Sequence, residues 1–289
     1  MKRRIAFIMT LAAILLLAAC GGGSASPTPT PTATPAPDPT PEAPRILRVG
    51  MECDYAPFNW TQLDDSNGAV LLADGTYAGG YDVEIAKLVA ASLETELEIV
   101  KTDWDGLPPS LTSGRIDLII AGMTDTEERR ETIDFTDEYY TSDLVIVVRK
   151  DDVYADATSI QDFAGAKITG QQNTLHYDVI DQIEGVDKQQ AYGDFPTMVT
   201  ALTAGRIDGY VSERPGAISA TAANPDLTFI VFDAEAGFTY AAGDVTVSIG
   251  IRKGDADLKD AVNAALAVIT EDDRLNIMES AISNQPMNA

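Results

Sequence analysis

The densest set of groups able to do chemistry in this sequence is Gly122-Met123-Thr124-Asp125-Thr126-Glu127-Glu128-Arg129. It follows a continuous apolar run, residues 116–121, and leads into a short helical pattern. Thr126 stands three residues before Arg129. At that spacing a threonine caps a helix while the arginine projects back toward the helix start. Free backbone N–H groups, a hydroxyl and a planar guanidinium fork then converge as a receptor for a carboxylate. A plainer reading stays open: Arg129 and Arg130 as a solvated basic turn beside Glu127 and Glu128.

Other chemistries lack parts. His176 is the sole histidine, so neither a histidine metal cluster nor a Ser-His-Asp triad can be assembled, and no metal or cofactor is expected. Asp64 and Asp65 read as a solvated loop. Glu271-Asp272-Asp273 reads as the start of the last helix, where acids complement the dipole. A formal net charge of −25 excludes nucleic acid as a partner, because its phosphates would be repelled. The same charge disfavours docking through a polybasic membrane patch.

The elements that must position these groups alternate strand and helix. Residues 45–50 read as a first strand. Residues 81–93 carry Val83, Ile85, Ala86, Val89 and Ala90 at helical spacing, with Asp82 expected as the N-cap. Short strands are expected at 97–100, 116–121 and 144–148, which gives an α/β class with parallel sheets. One unit recurs: Ser110-Leu111-Thr112-Ser113-Gly114-Arg115-Ile116-Asp117 returns as Ala201-Leu202-Thr203-Ala204-Gly205-Arg206-Ile207-Asp208, and the same register pairs Trp104 with Phe195. Each copy reads as a helix closed by a left-handed glycine and followed by a buried strand. Two similar lobes explain the recurrence, and a chance likeness of helix-stop patterns is the alternative. Ligands of open parallel sheets sit beyond the carboxyl ends of strands, which directs attention to Gly122 and to Ser212-Glu213-Arg214.

The N-terminus fixes a compartment. Lys2, Arg3 and Arg4 precede an apolar stretch, 5–19, that is too short for a comfortable span and ends in small residues. Leu17-Ala18-Ala19-Cys20 resembles a bacterial lipobox, in which Cys20 is lipidated and becomes the mature N-terminus. A secretory leader with an incidental cysteine is the alternative. Two acyl chains supply the anchoring that one cannot. Residues 21–44, rich in Pro and Thr, form an extended spacer. Cys53 is the only other cysteine, so the mature domain has no internal disulfide; a small buried thiol suits it better than a place in the cleft.

Trp104-Asp105-Gly106-Leu107-Pro108, the stretch from Gly122 to Arg129, Asp134-Phe135-Thr136-Asp137, Tyr139-Tyr140 and Gly80-Tyr81-Asp82-Val83-Glu84-Ile85-Ala86 resemble the signature of the bacterial family 3 extracellular solute-binding proteins, which bind polar amino acids. The likeness runs from Ile46 to about Pro286. It implies a two-lobed periplasmic-binding-protein type II fold, each lobe a mostly parallel sheet flanked by helices, joined by two hinge crossovers near 141–144 and 232–246. The implied division is leader 1–19, lipidated cysteine plus linker 20–44, first lobe 45–141 with 236–289, and second lobe 142–235. It further implies that Arg129 clamps the ligand α-carboxylate with help from Thr124 and the Gly122 backbone. In the second lobe Thr174 and Leu175 carry over, while Asn173 replaces the usual glycine; asparagine is the best substitute where φ is positive. Glu213 falls at the position that pairs with the α-ammonium, with a surface salt bridge to Arg214 as the alternative. Glu52 aligns with an acid that touches the far end of basic or amide side chains, and Tyr55 and Trp104 with aromatics that sandwich that side chain.

The resemblance makes a free L-amino acid the expected ligand, basic and like arginine or lysine. Tyr55, Phe58, Trp60 and Trp104 equally suit an aromatic or apolar amino acid, although Phe58 reads as core. The expected partners are permease subunits of an ABC importer and the membrane through a lipid anchor, with the chain acting as a monomer. Two other classes stay open: a cyclohexadienyl or prephenate dehydratase-like enzyme using Glu213 or Glu52 as its acid, and a surface adhesin.

Overall fold

The computed structural model describes residues 45–286; the expected leader, Cys20 and the Pro/Thr-rich tract lie outside the described residues. The chain opens with strand β1 (Ile46–Met51), then β2 (Asp54–Tyr55), β3 (Asn59–Gln62), β4 (Val70–Leu71) and β5 (Tyr77–Gly79). Helix α1 (Tyr81–Ser92), β6 (Glu96–Lys101), α2 (Leu107–Thr112), β7 (Leu118–Ile119), α3 (Glu127–Arg130) and β8 (Ile133–Thr141) follow. The next stretch holds β9 (Leu144–Arg149), β10 (Lys167–Thr169), α4 (Leu175–Asp178), β11 (Asp187–Lys188) and α5 (Phe195–Thr203). It continues through β12 (Gly209–Glu213), α6 (Arg214–Ala223) and β13 (Leu227–Ile230), and the chain ends with β14 (Thr246–Arg252), α7 (Ala256–Ala267) and α8 (Glu271–Asn284). No helix among the described residues is long and apolar enough to cross a membrane.

Two five-stranded sheets organise two α/β lobes: β6-β1-β7-β14-β8 in the first and β11-β10-β12-β9-β13 in the second. A smaller antiparallel sheet, β2-β3-β5-β4, is appended to the first lobe. The large sheets are mixed rather than parallel. Strand β14 runs against both β7 and β8, and β9 runs against both β12 and β13. The reversed strands are those the chain enters directly from the opposite sheet, where no crossover helix turns it round. The second return falls later than 236. Phe238 and Val245 pack in the core of the second lobe, and the Ile160 N–H reaches the Ala236 carbonyl at 2.9 Å, so the chain rejoins the first sheet at Thr246.

Core composition follows position in the sheets. Central β9 is buried from Leu144 to Val148, and Val49, Met51, Leu118 and Ile119 seal the first sheet, as expected for strands covered on both faces. Asp82 departs from its expected role. Helix α1 is preceded by Gly80, and the Asp82 carboxylate is buried, accepting from Asn59 Nδ2 and Tyr139 Oη at 2.7 Å each. The first N–H groups of α1 are taken by the carbonyls of Pro57 and Phe58. Burial pushes the Asp82 carboxyl up to about 7, while those hydrogen bonds pull it down. The last helix begins as the acids suggest, with a reciprocal capping box between Thr270 and Asp273.

The recurring unit occupies the same place in both sheets. Helix α2 stops at Gly114 (φ 76°) before β7, and α5 stops at Gly205 (φ 68°) before β12, each strand lying third in its sheet. The aspartate that ends each copy does the same work twice. Asp117 accepts from the Arg48 N–H at 3.0 Å and from Arg252 at 3.3 Å, and Arg252 also reaches the Ile116 carbonyl at 2.8 Å. Asp208 accepts from the Lys167 N–H at 2.9 Å and from Arg149 at 3.3 Å, and Arg149 reaches the Ile207 carbonyl at 2.7 Å. Arg252 and Arg149 end the two reversed strands, so each clamp fastens a reversed strand to the rest of its sheet. Asp117→Ala and Asp208→Ala should each lower the unfolding free energy by ~1–2 kcal/mol, as expected for losing charge-assisted bonds to a half-buried carboxylate. Urea unfolding measures this; a change in only one of the two would separate the clamps.

Candidate ligand-binding site

The first wall of the site is the tip of β7. Gly122 takes φ 59°, and a Cβ there would stand 3.0 Å from Tyr55 Cε1, so the turn needs glycine for both backbone and space. Its N–H is not free for a ligand: it donates to Tyr139 Oη at 3.0 Å, and Tyr139 in turn donates to buried Asp82. Thr126 caps α3, accepting from the Arg129 N–H at 3.2 Å. That helix is a single turn, too short to add much dipole.

The two arginines divide. Arg130 pairs with Asp125 at the exposed surface, as the plainer reading has it. Arg129 turns inward. Its guanidinium donates to the Thr124 carbonyl at 2.7 Å and to the Asn173 carbonyl of the second lobe at 2.9 Å, and it lies over the Trp104 ring at 5.2 Å. Among the described residues it forms no ion pair. Burial lowers its pKa to about 10, which leaves it charged at neutral pH. A half-buried cation bonded only to carbonyls retains N–H donors for an anion.

The second wall comes from the tips of β10 and β12. Asn173 has φ 56°, the left-handed backbone that makes asparagine the acceptable stand-in for glycine. The Thr174 hydroxyl donates to the Gln171 carbonyl at 2.7 Å, and half-buried Leu175 packs on the second core. Glu213 ends β12 and is buried. The surface salt bridge considered for it is absent: Arg214 forks onto Asp143 instead. Glu213 accepts from Tyr55 Oη of the opposite lobe at 3.0 Å, and His176 Nε2 lies 3.5 Å from its other oxygen. Burial, then the Glu213 charge, raises the Tyr55 phenol well above its ordinary range, so it stays a donor.

Arg129, Thr124, Trp104, Tyr55, Thr174, Leu175, Glu213 and Gly122 face one cavity of about 20 Å³, together with Gln171 and His176. That is room for about one water molecule, so a larger guest requires the lobes to part. Glu52 stands apart from this cavity, in an adjoining groove that also holds Asp54, Asp103, Asp105 and Asp194 and shares Trp104 with it. The Glu52 carboxylate accepts from Gln171 Nε2 across the cleft at 3.0 Å. Burial pushes its pKa up to about 8; the Gln171 bond opposes this, and the charges of Asp54, Asp194 and Asp103 add to it.

The aromatic sandwich is not formed as expected. The Tyr55 ring stacks on Phe58 at 5.0 Å and on Phe195 at 4.4 Å, so protein covers it from both lobes, and Trp104 is covered on one side by Arg129. Phe58 is fully buried core. Cys53 is buried too, its thiol pushed up to about 12 by burial. Three residues of the cleft were missed by motif reasoning: Gln171, His176 and Phe195. A signal existed for Phe195, which matches Trp104 in the recurring unit. None existed for His176, whose type was weighed only for metals and triads.

Comparison with known proteins places this geometry. The chain is 31% identical over 233 residues to the L-cystine-binding protein of Escherichia coli (strain K12), covering 80% of each chain. It is 29% identical over 238 residues to the arginine-binding extracellular protein of Bacillus subtilis (strain 168), covering 79% of this chain and 82% of that one. Its fold matches the crystal structure of an amino acid ABC transporter substrate-binding protein from Streptococcus pneumoniae bound to L-arginine, with a TM-score of 0.72 and 28% identity, over 82% of this chain and 94% of that one. The family is one of solute-binding proteins, and the relatives named above are binding proteins, in line with a binding role and not with the dehydratase alternative. The sequence profile of one family matches residues 47–281, across both sheets and every cleft residue named above, and the chain belongs to that family, the bacterial extracellular solute-binding proteins, family 3.

Proposed function

We propose that this protein closes its two lobes on a free L-amino acid with a cationic far end and presents it to an ABC importer. One observation carries the reading: a guanidinium from the first lobe, Arg129, and a carboxylate from the second, Glu213, face the same small cavity. Those are the two charges that complement a zwitterion, and each comes from a different lobe. A ligand bridging them favours the closed form, and only such differential binding drives closure. Thr124, Thr174 and Leu175 complete the wall around the α-carbon. The lobes hinge where the chain passes between sheets, at 142–143 and just before Thr246. Arg129→Ala should weaken L-arginine binding by at least about a hundredfold, the scale of a lost bidentate charge pair, with the melting temperature of the protein alone nearly unchanged. Calorimetry that finds wild-type affinity in this variant sinks the assignment.

Selectivity rests on Glu52. A cationic side chain running past Trp104 reaches the acidic groove where Glu52 lies among Asp54, Asp103 and Asp194. Arginine and lysine fit by guanidinium or ammonium. The resemblance to a cystine-binding protein favours a second reading, in which the distal α-ammonium of cystine takes that place. In either case Glu52 must ionise as the cation arrives. Its carboxyl in the closed, ligand-free cleft is raised from 4.5 to about 8, so for the closed fraction of the free protein a cation that ionises Glu52 expels a proton below about pH 8. Affinity for L-arginine should therefore rise with pH from about 5 to about 8, by up to about tenfold per unit, and level off above. Glu52→Gln should weaken binding and flatten this profile. Titrations of L-arginine, L-lysine and L-cystine at pH 6, 7 and 8 decide among the ligands, and a pH-independent wild type removes Glu52 from the mechanism.

We also propose that Cys20 carries a lipid anchor and that residues 21–44 space the domain from the membrane, the protein acting as a monomer. The support is the Leu17-Ala18-Ala19-Cys20 run and the tract that follows it. Cys20→Ala should shift the protein from the membrane fraction to the medium or periplasm in fractionated cells, and retention at the membrane would refute the anchor.

A further inference from the structure

We propose that Asp105 and the Gln172-Asn173 turn form an interlobe latch that sets the lifetime of the closed cleft without touching the ligand. Asp105 follows Trp104 on the rim of the first lobe. Its Oδ2 accepts from Gln172 Nε2 at 2.6 Å and its Oδ1 from Asn173 Nδ2 at 2.8 Å, both across the cleft. Both carboxylate oxygens are thus used on one turn of the opposite lobe, a two-point grip that fixes direction as well as distance. The same turn is held a third time, through its main chain, where the Asn173 carbonyl accepts from Arg129. Its backbone is built for this: φ 56° at Asn173 aims the carbonyl at Arg129 while the side-chain amide reaches Asp105.

The latch is separate from the binding cavity. Asp105 is exposed, in the groove proposed above for the cationic far end of the ligand, but both its oxygens are engaged on Gln172 and Asn173, and the cavity wall is made by its neighbour Trp104. Every bond in it joins the two lobes, so all are lost on opening and none changes within either lobe. A contact that exists only in the closed form shifts the open–closed equilibrium whatever the ligand: it slows release, and because the closed cleft admits no ligand it does not speed capture.

The test uses the full-length chain with Asp105→Ala on one lobe, Gln172→Ala/Asn173→Gly on the other, and all three combined; glycine keeps the left-handed backbone at 173. The first readout needs no ligand. Of the two tryptophans, Trp60 sits in the first core and Trp104 in the cleft, so acrylamide quenching of the protein alone reports the parting of the lobes. Each single-lobe variant should raise quenching to a similar degree, and the combined variant no further, because both remove the same bonds. The second readout is stopped-flow dissociation of L-arginine, which rests on the amino-acid reading above. It should accelerate about five- to tenfold, the scale expected for two bonds to an exposed carboxylate, with association no slower than wild type. Unchanged quenching in either single-lobe variant, or additive changes in the combination, overturns the latch. If wild type fails to bind L-arginine, the ligand reading falls while quenching still judges the latch.

Discussion

Charge taken out of water must be met by something, and the cleft is arranged around that requirement. Arg129, Glu213 and Glu52 all stand where the two lobes press together, and each finds a partner on the opposite lobe: the Asn173 carbonyl, the Tyr55 hydroxyl and the Gln171 amide. These partners are neutral. A neutral hydrogen-bond partner keeps a buried charge tolerable without cancelling it. The cleft therefore holds unneutralised charge of both signs in one small space, which is the condition under which a zwitterion gains most by entering.

The scaffold serves that arrangement at some distance. The tip bearing Gly122 is tied through Tyr139 to buried Asp82 and Asn59, so the backbone next to Arg129 is fixed by a network reaching into α1. The tip bearing Glu213 is fixed on its other side, where Arg214 forks onto Asp143 beside the first crossing between lobes. Glu213 and Arg214 are adjacent in sequence and could have paired. Instead β12 ends and α6 begins between them, so the two side chains leave in different directions, one into the cleft and one to the hinge.

Much of this was legible in the residues. The recurring unit announced two like lobes, the glycine stops at 114 and 205 lay where the pattern put them, and Thr126 caps the turn that carries Arg129. What was not legible depends on contacts between distant segments. The reversal of β9 and β14 leaves no local trace, because an apolar run reads alike in either direction. Segment 236–245 is irregular and carries no periodicity to say which core takes Phe238 and Val245. Asp82 had the spacing of a cap, but Asn59 and Tyr139 claim its carboxylate from elsewhere in the chain. Tyr55 had the type for stacking on a ligand, and Phe195, far away in sequence, stacks on it first.

The likeness of the two lobes gives the cleft its logic. Strands β1 and β10 lie second in their sheets, and the residues just past their ends, Glu52 and Gln171, meet across the gap. Strands β7 and β12 lie third; the turn past β7 leads to Arg129 and β12 itself ends in Glu213, and the two face one cavity. Trp104 and Phe195, matched in the recurring unit, both flank Tyr55 or the cavity it lines. Glu52 and Gln171 are equivalent positions that confront each other, whereas in the register of the recurring unit Glu213 corresponds to Gly122 and Arg129 lies seven residues further along. The third-strand tips differ in construction: a glycine turn and a one-turn helix bring in Arg129 on one side, and the strand itself ends in Glu213 on the other, so charges of opposite sign face one cavity. At the second-strand tips the divergence stops halfway, with an acid against an amide. That leaves one buried carboxyl, held up at about 8 by burial and by the neighbouring acids, with only an amide to meet it.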